Sequence, residues 1–498
     1  MASRTAGRPN ILFILSDDQG FWAMGCQGNR EIETPHLDRL AAAGMRFERF
    51  FCASPVCSPA RASLLTGRIP SQHGVHDWIA AGNTTAKYEP AGNGELIEYL
   101  RDAPGYTDAL AAAGYVCGIS GKWHLGDAHH PQKGFAFWEV HAKGGSPYYN
   151  APMVRDGEVY EEPRYVTDAI TDNALRFLEG QKGADRPFYL SVHYTAPHSP
   201  WQREHHPAPL FDRYYDNCPF ASVPDGLTPP SWAKHFTIPV RDAEQRRVFL
   251  SGYYAATTGI DGNVGRLLDW LEVNGLREDT LVVFTSDNGM NMGHHGVFGK
   301  GNATFPMNMF EESIRVPFLV SRPGHVPEGA MNADLLSQYD FMPTLLDYAG
   351  VAPPEASGLP GVSFADRLRG DASGGHEHVV VFDEYGPVRA VRTPDWKYIH
   401  RYPYGPHELY DLRNDPGETT NLAGRAERRA TEREMRDRLT EWFSRYADPE
   451  RSGVHEGVTG HGQVGLCGRR AGGDINFSQA QVARWLSLDR EPEGLSAR

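Results

Sequence analysis

The sequence predicts an α/β protein: a large, mostly parallel central sheet flanked by helices, followed by a smaller C-terminal α+β subdomain that contains an antiparallel sheet. Three observations predict it. Four short runs, at residues 11–15, 115–119, 188–192 and 281–284, are mostly apolar rather than alternating, which is the pattern of strands buried on both faces. Segments with helical spacing, at 34–43, 167–178 and 258–272, stand between them and suit crossovers joining parallel strands. After a stretch rich in Pro, Gly and Ser at 353–375, the runs at 379–383, 388–392 and 396–400 alternate, as in an antiparallel sheet with one solvated face.

Each apolar run ends in a polar cluster. The first leads into Ser16-Asp17-Asp18, the second into Gly121-Lys122-Trp123-His124, the third into His193 and Ala196-Pro197-His198, the fourth into Ser286-Asp287-Asn288-Gly289. Singly, such groups are turns or helix caps. Four of them, each at the carboxyl end of a strand, lie where open α/β sheets bind ligands.

Cys57-Ser58-Pro59-Ala60-Arg61 precedes an Ala- and Leu-rich stretch ending at Gly67. Ser58 reads as an N-cap, Pro59 as the first helical residue and Gly67 as a left-handed C-cap. Cys57 would then stand at the positive end of a helix, a place suited to sulfate or phosphate, with Arg61 one turn further along the same face. Asp17, Asp18, Asp287 and Asn288 offer only oxygen ligands, which suits Ca²⁺ or Mg²⁺ rather than Zn²⁺ or copper. Lys122, Lys300 and Arg61 would supply a cationic pocket, with His124 and His198 as proton-transfer groups.

Composition narrows the class. The 498 residues carry a net charge of −14, so nothing global favours nucleic acid or an anionic membrane as partner. Cysteines 26, 52, 57, 117, 218 and 467 include no CxxC pair, which argues against a disulfide framework or a structural zinc site. The apolar run near the N-terminus is too short for a signal-peptide core, and no later stretch is long enough to span a bilayer. A cytoplasmic protein with reduced thiols is expected.

Over most of its length the sequence resembles the formylglycine-dependent sulfatases of the alkaline phosphatase superfamily. The resemblance lies in PNILFILSDDQG, TPHLDRLAAAG, CSPARASLLTGR, GYVCGISGKWHLG, YTAPH, TLVVFTSDNG, GKGN, EESIRVPFLV and ELYDLRNDPGETTNLA, in that order. It implies that Cys57 is oxidised to Cα-formylglycine by a formylglycine-generating enzyme. One oxygen of the hydrated aldehyde would attack sulfur, and the other would later expel sulfate. Asp17, Asp18, Asp287, Asn288 and the modified Cys57 would hold a divalent cation, Ca²⁺ with Mg²⁺ as the alternative. Arg61 would steady the hydrate, and Lys122 and Lys300 would bind sulfate oxygens. His124 would help deprotonate the remaining hydroxyl, while His198 with Lys300 would protonate the leaving alcohol.

Asn after Asp287 and Cys at position 57 separate the chain from the two-zinc phosphatases of that superfamily, which usually place His and Ser or Thr there. The implied activity is hydrolysis of a sulfate ester, with a carbohydrate sulfate as the expected substrate. The alternatives are a formylglycine-dependent phosphonate monoester or phosphodiester hydrolase, and an aryl or alkyl sulfatase.

The expected organisation is a catalytic domain at 1–375, a small subdomain at 376–447 and a Gly-rich tail at 448–498. A helix at 426–446 would turn Met435, Leu439, Trp442, Phe443 and Tyr446 to a core. Substrate choice should lie in irregular segments: 199–239 with Trp201, His205, His206, Tyr214, Tyr215 and Trp232; 74–78 with His76, Asp77 and Trp78; and 143–150. The tail, with a short helix at 478–488 around Val482, Trp485 and Leu486, reads as unstructured, as a border of the pocket, or as a wrap around a neighbouring copy in a homo-oligomer.

Overall fold

Strand Asn10–Ser16 runs through the middle of a ten-stranded sheet, with parallel neighbours Thr280–Ser286 on one side and Phe188–His193 on the other. The computed structural model describes residues 7–84, 95–233, 235–354, 358–371, 375–381, 388–468 and 477. Beyond Phe188–His193 come Val116–Lys122 and Phe135–His141, both parallel, then Ala151–Arg155 and Glu158–Glu162, both antiparallel. Beyond Thr280–Ser286 lie Phe318–Ser321 and Met45–Phe47, both antiparallel to their inner neighbours, with Ala330–Asn332 at the edge. The four apolar runs are therefore the adjacent inner strands, as their lack of alternation requires.

Alternate residues of the central strand feed two cores. Ile11, Phe13 and Leu15 pack with Leu64 and Leu65 of helix Cys57–Thr66 and with Met342 and Leu345 of helix Phe341–Tyr348. Leu12 and Ile14 pack with Ile170 of helix Val166–Gln181 and with Ile260 and Val264 of helix Ala243–Val273. Each such aliphatic side chain contributes about 1.5–3 kcal/mol through burial. The expected helix at 258–272 is only the second half of Ala243–Val273. Its first half turns Phe249, Leu250, Tyr253 and Tyr254 to a separate aromatic cluster with Trp22 and Trp201. Asp242 caps it, accepting from Gln245 N at 2.8 Å.

Register decides where the polar ends meet. Ser16 lies opposite Ser286, Leu15 opposite His193, and His193 opposite Gly121. The chain therefore leaves all four strands at one level, with Asp17, Asp287, Lys122 and His193 at the same edge.

At the C-terminal end, Val379–Val381, Val388–Arg392, Trp396–Arg401 and Glu408–Asp411 form an antiparallel sheet. Residues 382–383 of the expected first strand lie outside the described residues, and the fourth strand was not anticipated. A 3₁₀ turn at Ala426–Arg428 leads into helix Arg429–Tyr446, which packs Met435, Leu439 and Phe443 on Val380, Val391, Tyr398 and Leu409. Trp442 and Tyr446 sit at the margin of that core. Lys397 of this sheet is buried and donates to Met309 O at 2.7 Å, joining the sheet to the loop before helix Glu311–Ile314. None of the six cysteines is in a disulfide. Among the described residues no helix is long and apolar enough to cross a membrane. The tail helix expected at 478–488, with Val482, Trp485 and Leu486, lies outside the described residues.

Candidate active site

Helix Cys57–Thr66 is buried along its whole length, with Cys57 as its first residue. Its N-cap is Val56, in extended backbone, which corrects the expectation for Ser58 and Pro59. Ser58 lies inside the helix because two loops claim its hydroxyl: Oγ donates to His124 O at 2.9 Å and accepts from Ile79 N at 3.0 Å. Gly67 closes the helix with φ 63°, as expected. The loop carrying Lys300 is tied to the other side of the helix start, Gly301 N donating to Pro55 O at 3.2 Å.

Below Cys57 the strand ends assemble a charged cage. Asp17, Asp18 and Asp287 are buried and present carboxylate oxygens within 4.8 Å of one another. Lys122 Nζ is 2.6 Å from Asp17 Oδ2, and Lys300 Nζ is 2.6 Å from Asp18 Oδ1. Asn288 Nδ2 donates to Asp18 Oδ1 at 2.8 Å. Arg61 Nε donates to Asp287 Oδ2 at 2.9 Å, and its Nη1 donates to Lys122 O at 3.0 Å. Asp18 takes φ 65°, a left-handed conformation that lets its N–H reach Asp287 Oδ1 at 3.1 Å.

The electrostatics come from burial set against these cations. Burial pushes Asp17 up to about 8, with Lys122 pulling the other way. Burial also acts on Asp287 and Asp18, but Arg61 and Lys122 outweigh it for the first, and Lys300 and His198 for the second, holding both below the usual carboxylate range. The Cys57 thiol is pushed up, chiefly by burial, so Cys57 is a thiol rather than a thiolate.

The donor set fits a hard cation. Asp17 Oδ1 and Asn288 Oδ1 are buried with no hydrogen-bond partner, so two oxygens of the cage have unused acceptor capacity. Oxygens no more than 4.8 Å apart are close enough to share one Ca²⁺ at about 2.4 Å each.

Two histidines stand over the cage. His124, at φ 54°, places Nε2 3.0 Å from Ile79 O, which can only accept; Nε2 therefore carries the proton and Nδ1 keeps a lone pair with no partner. Burial and then Lys122 hold this ring well below the ordinary imidazole value. His198 donates from Nδ1 to Ser199 O at 2.7 Å, which leaves Nε2 3.6 Å from Asp18 Oδ2. Burial lowers His198 to about 4 against the pull of Asp18.

Asp18, Cys57, His124, His198 and Lys300 open onto a cavity of about 600 Å³. All ten residues singled out from the sequence thus lie in one constellation or on its walls. Of the segments expected to set specificity, 143–145 and Trp78 do line the cavity. His76 and Asp77 are buried behind that wall. From 199–239, Ser199, Trp201, Thr237 and Ile238 reach it, whereas Trp232 turns to Glu408 and a separate cavity.

One contributor escaped the sequence reading, and another was named only as part of the 143–150 segment. Gln338 is buried; its Nε2 donates to Asp287 O at 2.6 Å while its Oε1 accepts from Ala53 N at 2.9 Å, bracing the metal loop against the lead-in to Cys57. Gly144 lies so close to His124 that a Cβ there would sit 2.3 Å from the imidazole. No local pattern marks either residue.

The family model described as Sulfatase matches residues 9–351. The chain belongs to the sulfatase family. It is a sulfuric ester hydrolase, and the two strand-end aspartates, Cys57 and Lys122 all fall inside the matched region. A second family model, N-sulphoglucosamine sulphohydrolase, C-terminal, matches residues 293–445. An N-acetylglucosamine-6-O-sulfatase of Bacteroides thetaiotaomicron is 30% identical over 89% of this chain and 87% of its own length. A choline-sulfatase of Rhizobium meliloti is 30% identical over 84% of this chain and 83% of its own. A solved structure of a protein in complex with its substrate D-glucosamine-2-N,6-O-disulfate superposes with a TM-score of 0.71 at 27% identity, covering 90% of this chain and all of the other.

Proposed function

We propose that this sulfatase removes sulfate from a saccharide, with Cys57 converted to Cα-formylglycine by a formylglycine-generating enzyme and with Ca²⁺, or Mg²⁺ in its place, held by Asp17, Asp18, Asp287, Asn288 and the modified residue 57. The observation that carries this reading is the buried cage of three carboxylates, two lysines and one arginine at the strand ends beside Cys57 on its helix start. The modified residue would supply a hydrated aldehyde as nucleophile, and the cation would supply Lewis-acid polarisation.

The remaining work falls to side chains already in place. Lys122 and Lys300 bring positive charge to the transferring SO₃ oxygens, where charge spreads in the transition state. Arg61, fixed by Asp287 and Lys122 O, holds residue 57 and the cage in register. His124 Nδ1, a lone pair without a partner, is placed to accept a proton. His198 Nε2 becomes the donor to the leaving alcohol when protonated beside Asp18. The saccharide is supported by the name of the N-acetylglucosamine-6-O-sulfatase and by the glucosamine disulfate bound as substrate in the solved structure.

Mass analysis of the Cys57 peptide tests the central claim, since conversion removes two hydrogens and sulfur and adds one oxygen. Unconverted Cys57 in fully active enzyme would refute it. Turnover of N-acetylglucosamine 6-sulfate against 4-nitrophenyl sulfate, choline sulfate and a phenylphosphonate monoester tests the substrate class.

A further inference from the structure

One wall of the cavity over Cys57 comes from the far end of the chain. Residues 459–463 run along 76–80: Gln463 N donates to Trp78 O at 2.8 Å, and Ala80 N donates to Gln463 O at 2.9 Å. Asp77, fully buried, accepts from Gly460 N at 3.1 Å and Gly462 N at 3.0 Å through Oδ2, and from Trp78 N at 2.7 Å through Oδ1. Gln463, also buried, accepts from His76 N at 2.8 Å and donates to Gly74 O at 2.9 Å. This strap is built into the wall rather than laid over it.

What the strap fixes is Trp78. The indole N–H donates to Gly460 O at 3.2 Å. Gly462, at φ +109°, lies against the six-membered ring, where a Cβ would meet Trp78 Cζ2 at 3.1 Å and Ala80 Cβ at 2.6 Å. The ring is only half-buried, and it lines the cavity beside Gly460 and His461. An aromatic side chain whose torsions are already set loses little entropy when a ligand packs on it, so its exposed surface is a ready binding platform.

We propose that Trp78, held by the strap at 459–463, forms the subsite that stacks the sugar ring bearing the scissile sulfate. This subsite rests on the saccharide reading of the active site. The C–H-rich face of a pyranose would lie on the indole while its sulfate group reaches Lys300 and residue 57 on the cavity floor.

The test compares two probes of one cavity: N-acetylglucosamine 6-sulfate as substrate, and inorganic sulfate as competitive inhibitor, which reports the reacting centre alone. Trp78→Ala is expected to raise KM for the sugar sulfate about tenfold while leaving Ki for inorganic sulfate within about twofold. Trp78→Phe keeps an aromatic face and should restore most of the KM. Gly462→Ala keeps Trp78 but displaces strap or ring, and should raise KM as well. Unchanged KM in Trp78→Ala, or in Gly462→Ala where Trp78→Ala does not fold, overturns the subsite; so does an equal rise in KM and Ki. If the wild-type enzyme hydrolyses 4-nitrophenyl sulfate but no sugar sulfate, the saccharide reading itself fails and the subsite falls with it.

Discussion

Lys300 Nζ lies 2.6 Å from Asp18 Oδ1, so a side chain proposed to hold sulfate rests on one proposed to hold the cation. Lys122 and Asp17 repeat the arrangement. Leaving either carboxylate buried and unpaired would cost several kcal/mol. The lysines neutralise these acids, and a divalent cation taking the carboxylates would release both ammonium groups toward sulfate oxygens. The cation would leave the cage with a positive excess, which suits an anionic sulfate ester.

Lys300→Met tests that exchange. Its kcat/KM should fall by about 10²–10³, the usual cost of removing one charge-stabilising donor. Its melting temperature in chelator should drop, because Asp18 loses its ammonium partner, and saturating Ca²⁺ should recover most of the loss. Thermal melts with and without Ca²⁺ read this directly. A melting temperature that falls equally in both conditions would show that Lys300 serves packing alone.

Arg61→Lys should be far from conservative. The guanidinium reaches Asp287 Oδ2 and Lys122 O together, at 2.9 and 3.0 Å, from a fully enclosed position. An ammonium can replace one of these contacts but not the planar pair. The expected loss is about 3–5 kcal/mol of stability in chelator, measured by denaturant unfolding, together with loss of turnover.

The parts of the site that were legible share one cause. Asp17, Asp287 and Lys122 each lie at the end of an apolar run, and parallel strands paired in register end together, so local pattern implied a common edge. Cys57 and Arg61 were legible through helix spacing. Ser58 was misread because a Ser-Pro pair obeys a local capping rule, whereas its hydroxyl is engaged by His124 O and Ile79 N from other segments. Gln338 braces Asp287 and Ala53, residues 51 and 285 positions away; no periodicity within its own segment encodes that. Glu408–Asp411 was missed as a strand because its edge position is stabilised by buried pairing of Glu408 with Arg401 rather than by an apolar run.

Gly144→Ala should act on catalysis through His124. The added Cβ would fall 2.3 Å from the imidazole, so either ring or loop must shift. A displacement on the order of 1 Å of a proton-transfer group costs about 10²-fold in rate. The expected signature is a large fall in kcat, with Cys57 conversion and Ca²⁺-dependent melting unchanged. If conversion fails too, the loop rather than His124 carries the effect.

His376 gives stability a pH dependence that originates away from the catalytic cavity. Its Nε2 lies 2.8 Å from Asp340 Oδ1. Burial pulls the imidazole down, but the hydrogen bond and charge of Asp340 outweigh it and leave His376 above its ordinary value of 6.5. A raised folded-state value means the folded protein holds the proton more tightly than the unfolded chain. The contribution is therefore complete below about pH 6.5 and disappears as pH rises through the folded value. Because the ring is partly solvated, the effect should stay near or below about 1 kcal/mol. His376→Gln keeps a hydrogen-bond donor to Asp340 and removes the titration. Urea midpoints for wild type should fall between about pH 6 and pH 8 by more than those of the variant, and equal slopes would show that the Asp340 contact does not bind the proton.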